Sequence, residues 1–195
     1  MSDAQRAFVI IGHKAALTPD FTLNDLPGAA GRLDILARCV TSALCLSHGM
    51  RTDTDVHLVL QDQVVVRFEG GHVKRLNPDE RSTGALVKHA LKALEEGRER
   101  STPGVTVARR ALNDVLRALG ESGFEIHVLD EGGQDIRQAG FGDPAAFVLS
   151  DHQDFSSTEE DVLAGYARLS LGPRVLQADH CVSIVHNELD RRSSS

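Results

Sequence analysis

The chain has few aromatic residues: its 195 residues include no Trp, one Tyr and seven Phe. Aliphatic side chains must therefore build most of the core. It also lacks a CxxC pair, and its three cysteines, Cys39, Cys45 and Cys181, lie within apolar helical patterns. This distribution favours reduced core thiols in a cytoplasmic protein and argues against structural zinc. Because no apolar run is long enough for a signal peptide or a bilayer span, we expect no membrane association.

The chain also lacks an excess of positive charge, since its formal net charge is −7. A surface that is basic throughout and coats nucleic acid is therefore excluded, whereas a local basic patch can still contact RNA phosphates. Several basic residues lie close enough in sequence to form such a patch, although each can equally belong to a solvated helix face. They are Lys74, Arg75, Lys88, Lys92, Arg98, Arg100, Arg109, Arg110 and Arg117.

Alternating apolar runs and turns predict an α/β fold, with one domain over residues 1–195 and no interior linker. We predict strands at residues 7–12, 55–60, 64–68, 125–129, 147–149 and 168–171. Helices are predicted at residues 32–48, 82–96, 107–119 and 178–189. A short helix ending near Tyr166 is expected to start at a capping box of Ser157 and Glu160. The segment DEGGQD, residues 130–135, is predicted to be an acidic loop.

Three predicted strands end in segments that can line a ligand pocket. These are Leu129-Asp130, Leu149-Ser150-Asp151 and the turn LSLGP, residues 169–173. Because the carboxyl ends of parallel strands meet at one sheet edge, we expect the three segments to converge and bracket a nucleotide-like ligand such as adenosine. The alternative for the glycine is a tight strand-to-helix turn without a ligand.

Histidine and serine side chains give weaker evidence for a functional site than these strand ends do. His152, His180 and His186 lie near acidic residues but lack metal-ligand spacing, so we predict no metal site. Ser150 and Ser170 are conceivable nucleophiles, but there is no G-x-S-x-G elbow to expose either hydroxyl.

The segment NDLPGAAGRLD, residues 24–34, places carboxylates close to an arginine. Asp25 could accept a proton while Arg32 holds an anionic substrate. Helix capping and turn formation are the structural alternatives, and capping is favoured for Asp79 in the similar segment NPDERSTG.

Four segments together resemble the TrmY family, the SPOUT-superfamily tRNA pseudouridine N1-methyltransferases. They are FVIIGHKAALTPDFTLNDLPGAAGRLDILARCVTSALCLSHG, LNPDERSTGALVKHAL, FVLSDHQDF and LSLGPRVLQADHCVSIVHNELDR. The resemblance implies a mostly parallel sheet with helices on both faces and a trefoil knot, with the knot and cofactor loops at roughly residues 125–190. It also implies a homodimer that binds S-adenosylmethionine in the knot. Carried over by position, the cofactor contacts are Leu129, Leu149, Ser150, Asp151, His152, Leu171, Gly172, Leu176, His180 and Cys181.

The implied reaction is N1-methylation of pseudouridine in the T-loop of tRNA, at position 54 in the family. Asp25 and Arg32 are then our candidates for assisting loss of the N1 proton. The alternative is a SPOUT homologue that binds S-adenosylmethionine or RNA but acts on another structured RNA or has no catalytic activity.

Overall fold

The computed structural model describes residues 4–193, and this part of the chain folds into nine strands and five helices. The strands are β1 (Arg6–Gly12), β2 (Cys45–Leu46), β3 (Gly49–Met50), β4 (Thr54–Leu60), β5 (Val64–Glu69), β6 (Val105–Ala108), β7 (Glu125–Asp135), β8 (Ala145–Ser150) and β9 (Ala167–Ser170). The helices are α1 (Leu33–Leu44), α2 (Glu80–Glu95), α3 (Leu112–Glu121), α4 (Ser157–Leu163) and α5 (Ala178–Ser193).

Seven strands form one mostly parallel sheet in the order β6-β5-β4-β1-β8-β7-β9. Strand β1 lies in the centre and pairs in parallel with β4 and β8, and β7 pairs in parallel with β8 and β9. The pairings of β5 with β4 and β6 are antiparallel. The predicted sheet type is therefore confirmed, and the carboxyl ends of β1, β7, β8 and β9 lie at the same edge.

Successive side chains of β1 point to opposite faces of the sheet, and the core is divided into two layers accordingly. Phe8 and Ile10 pack with residues of α1, α2 and α5 on one face of the sheet. Ala7, Val9 and Ile11 pack with residues of α3 and α4 on the other face. Successive side chains of a strand point to opposite faces, so this uninterrupted apolar run requires helices on both sides, as predicted.

Several predicted boundaries were wrong. Helix α1 ends at Leu44 instead of continuing to residue 48, because β2 and β3 form a small hairpin there. Residues Val105–Ala108, assigned partly to a helix, form β6 against β5, where the β-branched alternation of VTVA decides the conformation. The short helix begins one residue earlier than expected, with Ser156 and Glu159 forming its capping box.

The segment of residues 130–135 was predicted to be a loop, but it belongs to β7. Its pairing with β9 is interrupted between Leu129 and Gln134 and then resumes, so the intervening residues form an irregular bulge. Such a bulge re-aims the backbone next to the sheet edge without ending the strand.

An ion-pair cluster anchors helix α5 to the amino-terminal end of β1. Asp190 accepts hydrogen bonds from Arg6, at 2.6 Å, and from Arg51, at 2.6 and 3.1 Å. Arg6 also contacts His186, whose Nε2 lies 3.0 Å from the Ala43 carbonyl oxygen. Burial lowers the pKa of His186 to about 3, so this ring is neutral at physiological pH. Across residues 4–193, no helix has the length and apolarity that crossing a membrane requires.

Candidate active site

A pocket of about 700 Å³ lies at the carboxyl ends of β7, β8 and β9. Its volume falls in the range of small-molecule sites, roughly 300–1,000 Å³. The structure brings nine of the ten residues predicted to bind a cofactor to its walls, and these also include the three strand ends expected to converge. They are Leu129, Leu149, Ser150, Asp151, His152, Leu171, Gly172, Leu176 and Cys181.

The tenth predicted residue, His180, is not among the pocket-lining residues of the described chain. It lies in the first turn of α5 with its side chain 61% exposed. Cys181 and the buried Ala178 line the pocket instead. A residue three positions from Ala178 lies on the same face of a helix, whereas position 180 faces away from it. Burial raises the pKa of the Cys181 thiol, so it is not an activated nucleophile.

Backbone conformation shapes the walls. Gly172 follows β9 with φ 144°, a value that L side chains rarely adopt. At the β7 bulge, a Cβ on Gly133 would lie 2.5 Å from the carbonyl carbon of Arg168 in β9. Glycine is therefore required at both positions for backbone reasons. Because Gly133 carries no side chain, β7 and β9 can approach each other beside the pocket.

Asp151 organises the loop that follows β8. Its carboxylate has no exposed surface and accepts hydrogen bonds from the backbone N–H groups of His13 and Gln153, each at 3.0 Å. Its Oδ1 also lies 2.9 Å from Nδ1 of His13, whose Nε2 lies 3.0 Å from Oε2 of Glu159 in α4. Ser150 contributes a hydrogen bond from its hydroxyl to the Gln153 carbonyl oxygen. One buried carboxylate thus holds this wall of the pocket against β1 and α4.

Arg32 lies at another wall of the pocket, immediately before α1. Its guanidinium donates to both oxygens of the buried Asp34, at 3.0 and 3.2 Å. Arg38 donates to Asp34 as well, at 3.2 Å. Burial alone would raise the pKa of Asp34, but the hydrogen bonds from the two arginines outweigh it and lower the pKa. Asp34 therefore stays ionised and orients two cations at the pocket.

The backbone of Arg32 is left-handed, with φ 65° and ψ 28°. A non-glycine residue in this region costs about 1 kcal/mol or more and often marks a functional site. The preceding Gly31 also has positive φ, and a Cβ there would lie 1.7 Å from the Lys14 carbonyl oxygen. The backbone of Gly31 and Arg32 therefore forms a constrained turn before α1, and this turn fixes the position of Arg32.

The structure does not place Asp25 at the pocket. Its exposed carboxylate accepts backbone hydrogen bonds from Gly28 at 3.0 Å and Ala29 at 2.9 Å. This turn precedes Arg32, whose N–H donates to the Pro27 carbonyl oxygen at 3.1 Å. The structure therefore does not bring the Asp25 carboxylate to the Arg32 guanidinium: Asp34 is the carboxylate that holds Arg32, while Asp25 stabilises the turn leading to it.

Two arginines that line the pocket were not selected from the sequence, Arg38 and Arg174. A third, Arg168, does not line the pocket but contacts two carboxylates that do. Arg168 pairs with Asp130 and Glu160, which links the bulge of β7 to α4. Arg174 is exposed in the turn after β9. No spacing rule would have identified Arg38 or Arg168, whereas Arg174 lies between two predicted cofactor contacts, Gly172 and Leu176.

The geometry does not support Ser150 or Ser170 as a nucleophile. The Ser170 hydroxyl lies 3.3 Å from the Gly172 carbonyl oxygen, and the Ser150 hydroxyl also donates to a carbonyl. Neither is paired with a histidine among the described residues.

Of the predicted basic patch, Arg98 pairs with Glu96 and Arg117 with Asp114, while Lys88 donates to the Phe21 carbonyl oxygen. Within residues 4–193, no group of His, Cys, Asp and Glu side chains is arranged to hold a metal ion.

Comparison with known proteins identifies relatives along almost the whole chain. A family model described as "Putative SAM-dependent RNA methyltransferase" matches residues 5–194. The tRNA (pseudouridine(54)-N(1))-methyltransferase of Haloarcula marismortui is 49% identical over 191 residues, covering 95% of this chain and 96% of the relative. The protein of the same name from Methanosarcina acetivorans is 49% identical over 195 residues, covering 95% and 91%.

Among solved structures, Archaeoglobus fulgidus Nep1 bound to S-adenosylhomocysteine superposes with a TM-score of 0.70. The superposition covers 97% of this chain and 99% of that chain, at 17% sequence identity. At this identity the likeness establishes the shared fold and no more.

Proposed function

The chain belongs to the family of SAM-dependent RNA methyltransferases defined by that model, and on this premise we propose that it methylates N1 of pseudouridine 54 in the T-loop of tRNA. The observation that carries the proposal is the end-to-end identity of 49% with two archaeal proteins of that named activity. The methyl donor is S-adenosylmethionine.

The pocket suits this cofactor in size and composition. Leucine side chains from three strand ends offer apolar contact to an adenosine, and the neighbouring backbone offers hydrogen bonds. The exposed carboxylates of Glu131 and Asp154 at the walls are complementary to a cationic donor. When bound, S-adenosylmethionine supplies an already activated methyl group, so the protein's task is alignment of donor and acceptor.

Arg32 is the residue that we propose to assist the acceptor. As N1 of the base loses its proton to solvent and gains the methyl group, negative charge develops on the base before or during transfer. A guanidinium held at a fixed position by Asp34 stabilises that charge without having to reorganise. We therefore retain Arg32 as a proposed catalytic residue and assign Asp34 as the residue that positions it.

The remaining expectations concern assembly and location. We propose a single domain that forms a homodimer in the cytoplasm, with the trefoil knot near the pocket segments. The dimer is what the resemblance to the SPOUT methyltransferases implies, and Val175, 78% exposed, and Leu46, 49% exposed, are large apolar side chains that contact between copies would cover. Analytical ultracentrifugation of the purified protein tests the dimer directly.

The decisive assay is transfer of a tritiated methyl group from S-adenosylmethionine to T-arm RNA. We expect transfer to RNA carrying pseudouridine at position 54 and none to the same RNA carrying uridine. Binding of S-adenosylhomocysteine without transfer to either RNA would instead favour the alternative, a binding protein or an enzyme for another RNA.

The role of Arg32 makes a separate prediction. Arg32→Ala should slow single-turnover methyl transfer by about 10²-fold, because it removes a fixed cation from the developing anion. Affinity for S-adenosylhomocysteine should change little. The matched control is Arg137→Ala, since Arg137 is 74% exposed, lies away from the pocket and also forms an ion pair. Equal transfer rates for wild type and Arg32→Ala would remove Arg32 from the mechanism.

A further inference from the structure

His13 directly follows the last residue of β1, at the sheet edge where the pocket lies. Its ring bridges two elements around that edge: Nδ1 lies 2.9 Å from Oδ1 of Asp151, after β8, and Nε2 lies 3.0 Å from Oε2 of Glu159, in α4. All three side chains are largely removed from solvent, at 15%, 0% and 10% exposure. His13 itself does not line the pocket.

This arrangement selects one protonation state of the ring. An ionised carboxylate only accepts hydrogen bonds, so both contacts are satisfied only if both ring nitrogens carry a proton. Loss of one proton turns a nitrogen lone pair toward Asp151 or Glu159 and leaves a buried carboxylate short of a donor. Burial lowers the pKa of His13, but hydrogen bonds to the two carboxylates outweigh it, and the pKa is raised.

The contact between His13 and Asp151 matters for the pocket because the Asp151 carboxylate accepts the hydrogen bonds that hold the loop after β8. The same carboxylate receives the backbone N–H groups of His13 and Gln153, and Ser150, Asp151 and Gln153 all line the pocket. A second ring, His152, has its Nδ1 3.5 Å from Oδ1 of Asp151.

Other charged groups also face Asp151 and Glu159. Asp151 interacts electrostatically with the guanidinium of Arg32, before α1, and with the buried thiol of Cys39, in α1. Glu159 accepts the N–H of Ser156 at 2.7 Å. Among residues 4–193, His13 and His152 are the histidines whose ring nitrogens are recorded within 3.5 Å of the Asp151 carboxylate.

We propose that His13 is a positioning residue whose imidazolium holds the loop of residues 149–153 in the conformation that binds the cofactor. Deprotonation of His13 loosens the contact to Asp151 and weakens cofactor binding. The inference rests on the proposed function, since it assumes that this pocket binds S-adenosylmethionine. It adds a residue outside the pocket and a pH dependence of binding that catalysis itself does not require.

The test measures affinity for S-adenosylhomocysteine by calorimetry from about pH 5.5 to about pH 8.5, the interval in which histidines titrate. Wild type should bind about tenfold more weakly at the alkaline end, with one proton linked to binding. 5′-Methylthioadenosine, which lacks the titrating α-amino group, should show the same trend. His13→Asn keeps an N–H donor near Asp151 but does not titrate, so its affinity should not depend on pH.

Two further variants separate His13 from other histidines. His72→Gln changes a histidine that is 73% exposed and remote from the pocket, and it should retain the wild-type pH dependence. His152→Gln replaces a residue that lines the pocket, so it can change the affinity itself, but the affinity should still depend on pH as in wild type. If His152→Gln abolishes the pH dependence, or if His13→Asn preserves it, the proposal is wrong.

Ring-nitrogen NMR of wild-type protein gives a readout that does not depend on any variant folding. Because coupling is reciprocal, binding of S-adenosylhomocysteine must raise the pKa measured for His13. An unchanged His13 titration on saturation with ligand would overturn the inference. Absence of any binding at every pH would instead contradict the proposed function.

Discussion

Gly133 lies where β7 and β9 approach each other beside the pocket, and Gly133→Ala tests how the bulge builds the site. A Cβ at this position would lie 2.5 Å from the carbonyl carbon of Arg168 and 2.6 Å from both its oxygen and the nitrogen of Leu169. All three contacts are with backbone, so no side chain can rotate away to accommodate the methyl group.

The size of the effect follows from these distances. Ordinary van der Waals contact begins at 3.4 Å, so the two backbones must separate by about 0.9 Å from their 2.5 Å approach. That movement strains the pairs of Gln134 with Leu169 and Asp135 with Ser170, where the ladder resumes after the bulge. Insertion of a methyl group into such packing costs about 1–3 kcal/mol. Methyl transfer should fall by about 10²-fold if the wall of the pocket moves by this amount.

Urea unfolding and methyl transfer measure the two consequences, with Gly165→Ala as the matched control. A Cβ on Gly165 would meet nothing within 4 Å, and its φ is not positive, so the free energy of unfolding should change by less than about 0.5 kcal/mol. If Gly133→Ala unfolds at the same urea concentration as Gly165→Ala and transfers methyl groups at the wild-type rate, the close approach is not a requirement of the fold.

Two other substitutions test buried or paired ionisable groups. Hydrogen bonds from Arg51, opposed by burial and aided by Arg6, lower the pKa of Asp190 to about 2, so its stabilising contribution is present above its ordinary pKa and disappears as the pH falls through 2. Asp190→Asn should therefore lower the free energy of unfolding at pH 7 and flatten its decline in acid; parallel acid-unfolding curves would contradict this. His127 has both ring nitrogens buried without a hydrogen-bond partner in the described chain, although Nε2 lies 3.4 Å from Oε1 of Glu125. Burial outweighs that carboxylate and lowers the pKa of His127, so wild type loses stability as the pH falls below the unfolded pKa of this histidine. His127→Phe should raise the free energy of unfolding by about 1 kcal/mol and remove that loss, as urea unfolding at several pH values can check.

The sheet and the position of the pocket were predictable because they depend on local apolar pattern. The run AFVIIG becomes the central strand β1, the run ending at Leu149 becomes its neighbour β8, and the run before Leu171 becomes the edge strand β9, so that Leu149 and Leu171 both reach the pocket. Parallel strands place their carboxyl ends together, so strand ends that are far apart in sequence can be assigned to one site without knowledge of their contacts.

The bulge and the strand β6 could not be predicted in the same way. DEGGQD has the composition of a loop, and only pairing with Leu169 and Ser170 after a register shift makes it part of β7. VTVA is four residues long and continues into a helical pattern, so its conformation is decided by the antiparallel pairing with β5. In both segments, tertiary pairing overrides the local preference.

The residues that orient the site differ from those that a search for reactive pairs selects. Asp25 and Arg32 were paired because they are close in sequence, yet Asp25 binds backbone N–H groups and Asp34 binds the guanidinium. His13 was not selected, although it directly follows a buried strand at the predicted edge, where any polar side chain is a candidate. A charged group acts at a site only if its partners fix it there, and those partners are set by folding rather than by spacing. Interpretation of such a sequence should therefore begin with the first residue after each strand and ask which carboxylate or cation the neighbouring strand end brings to it.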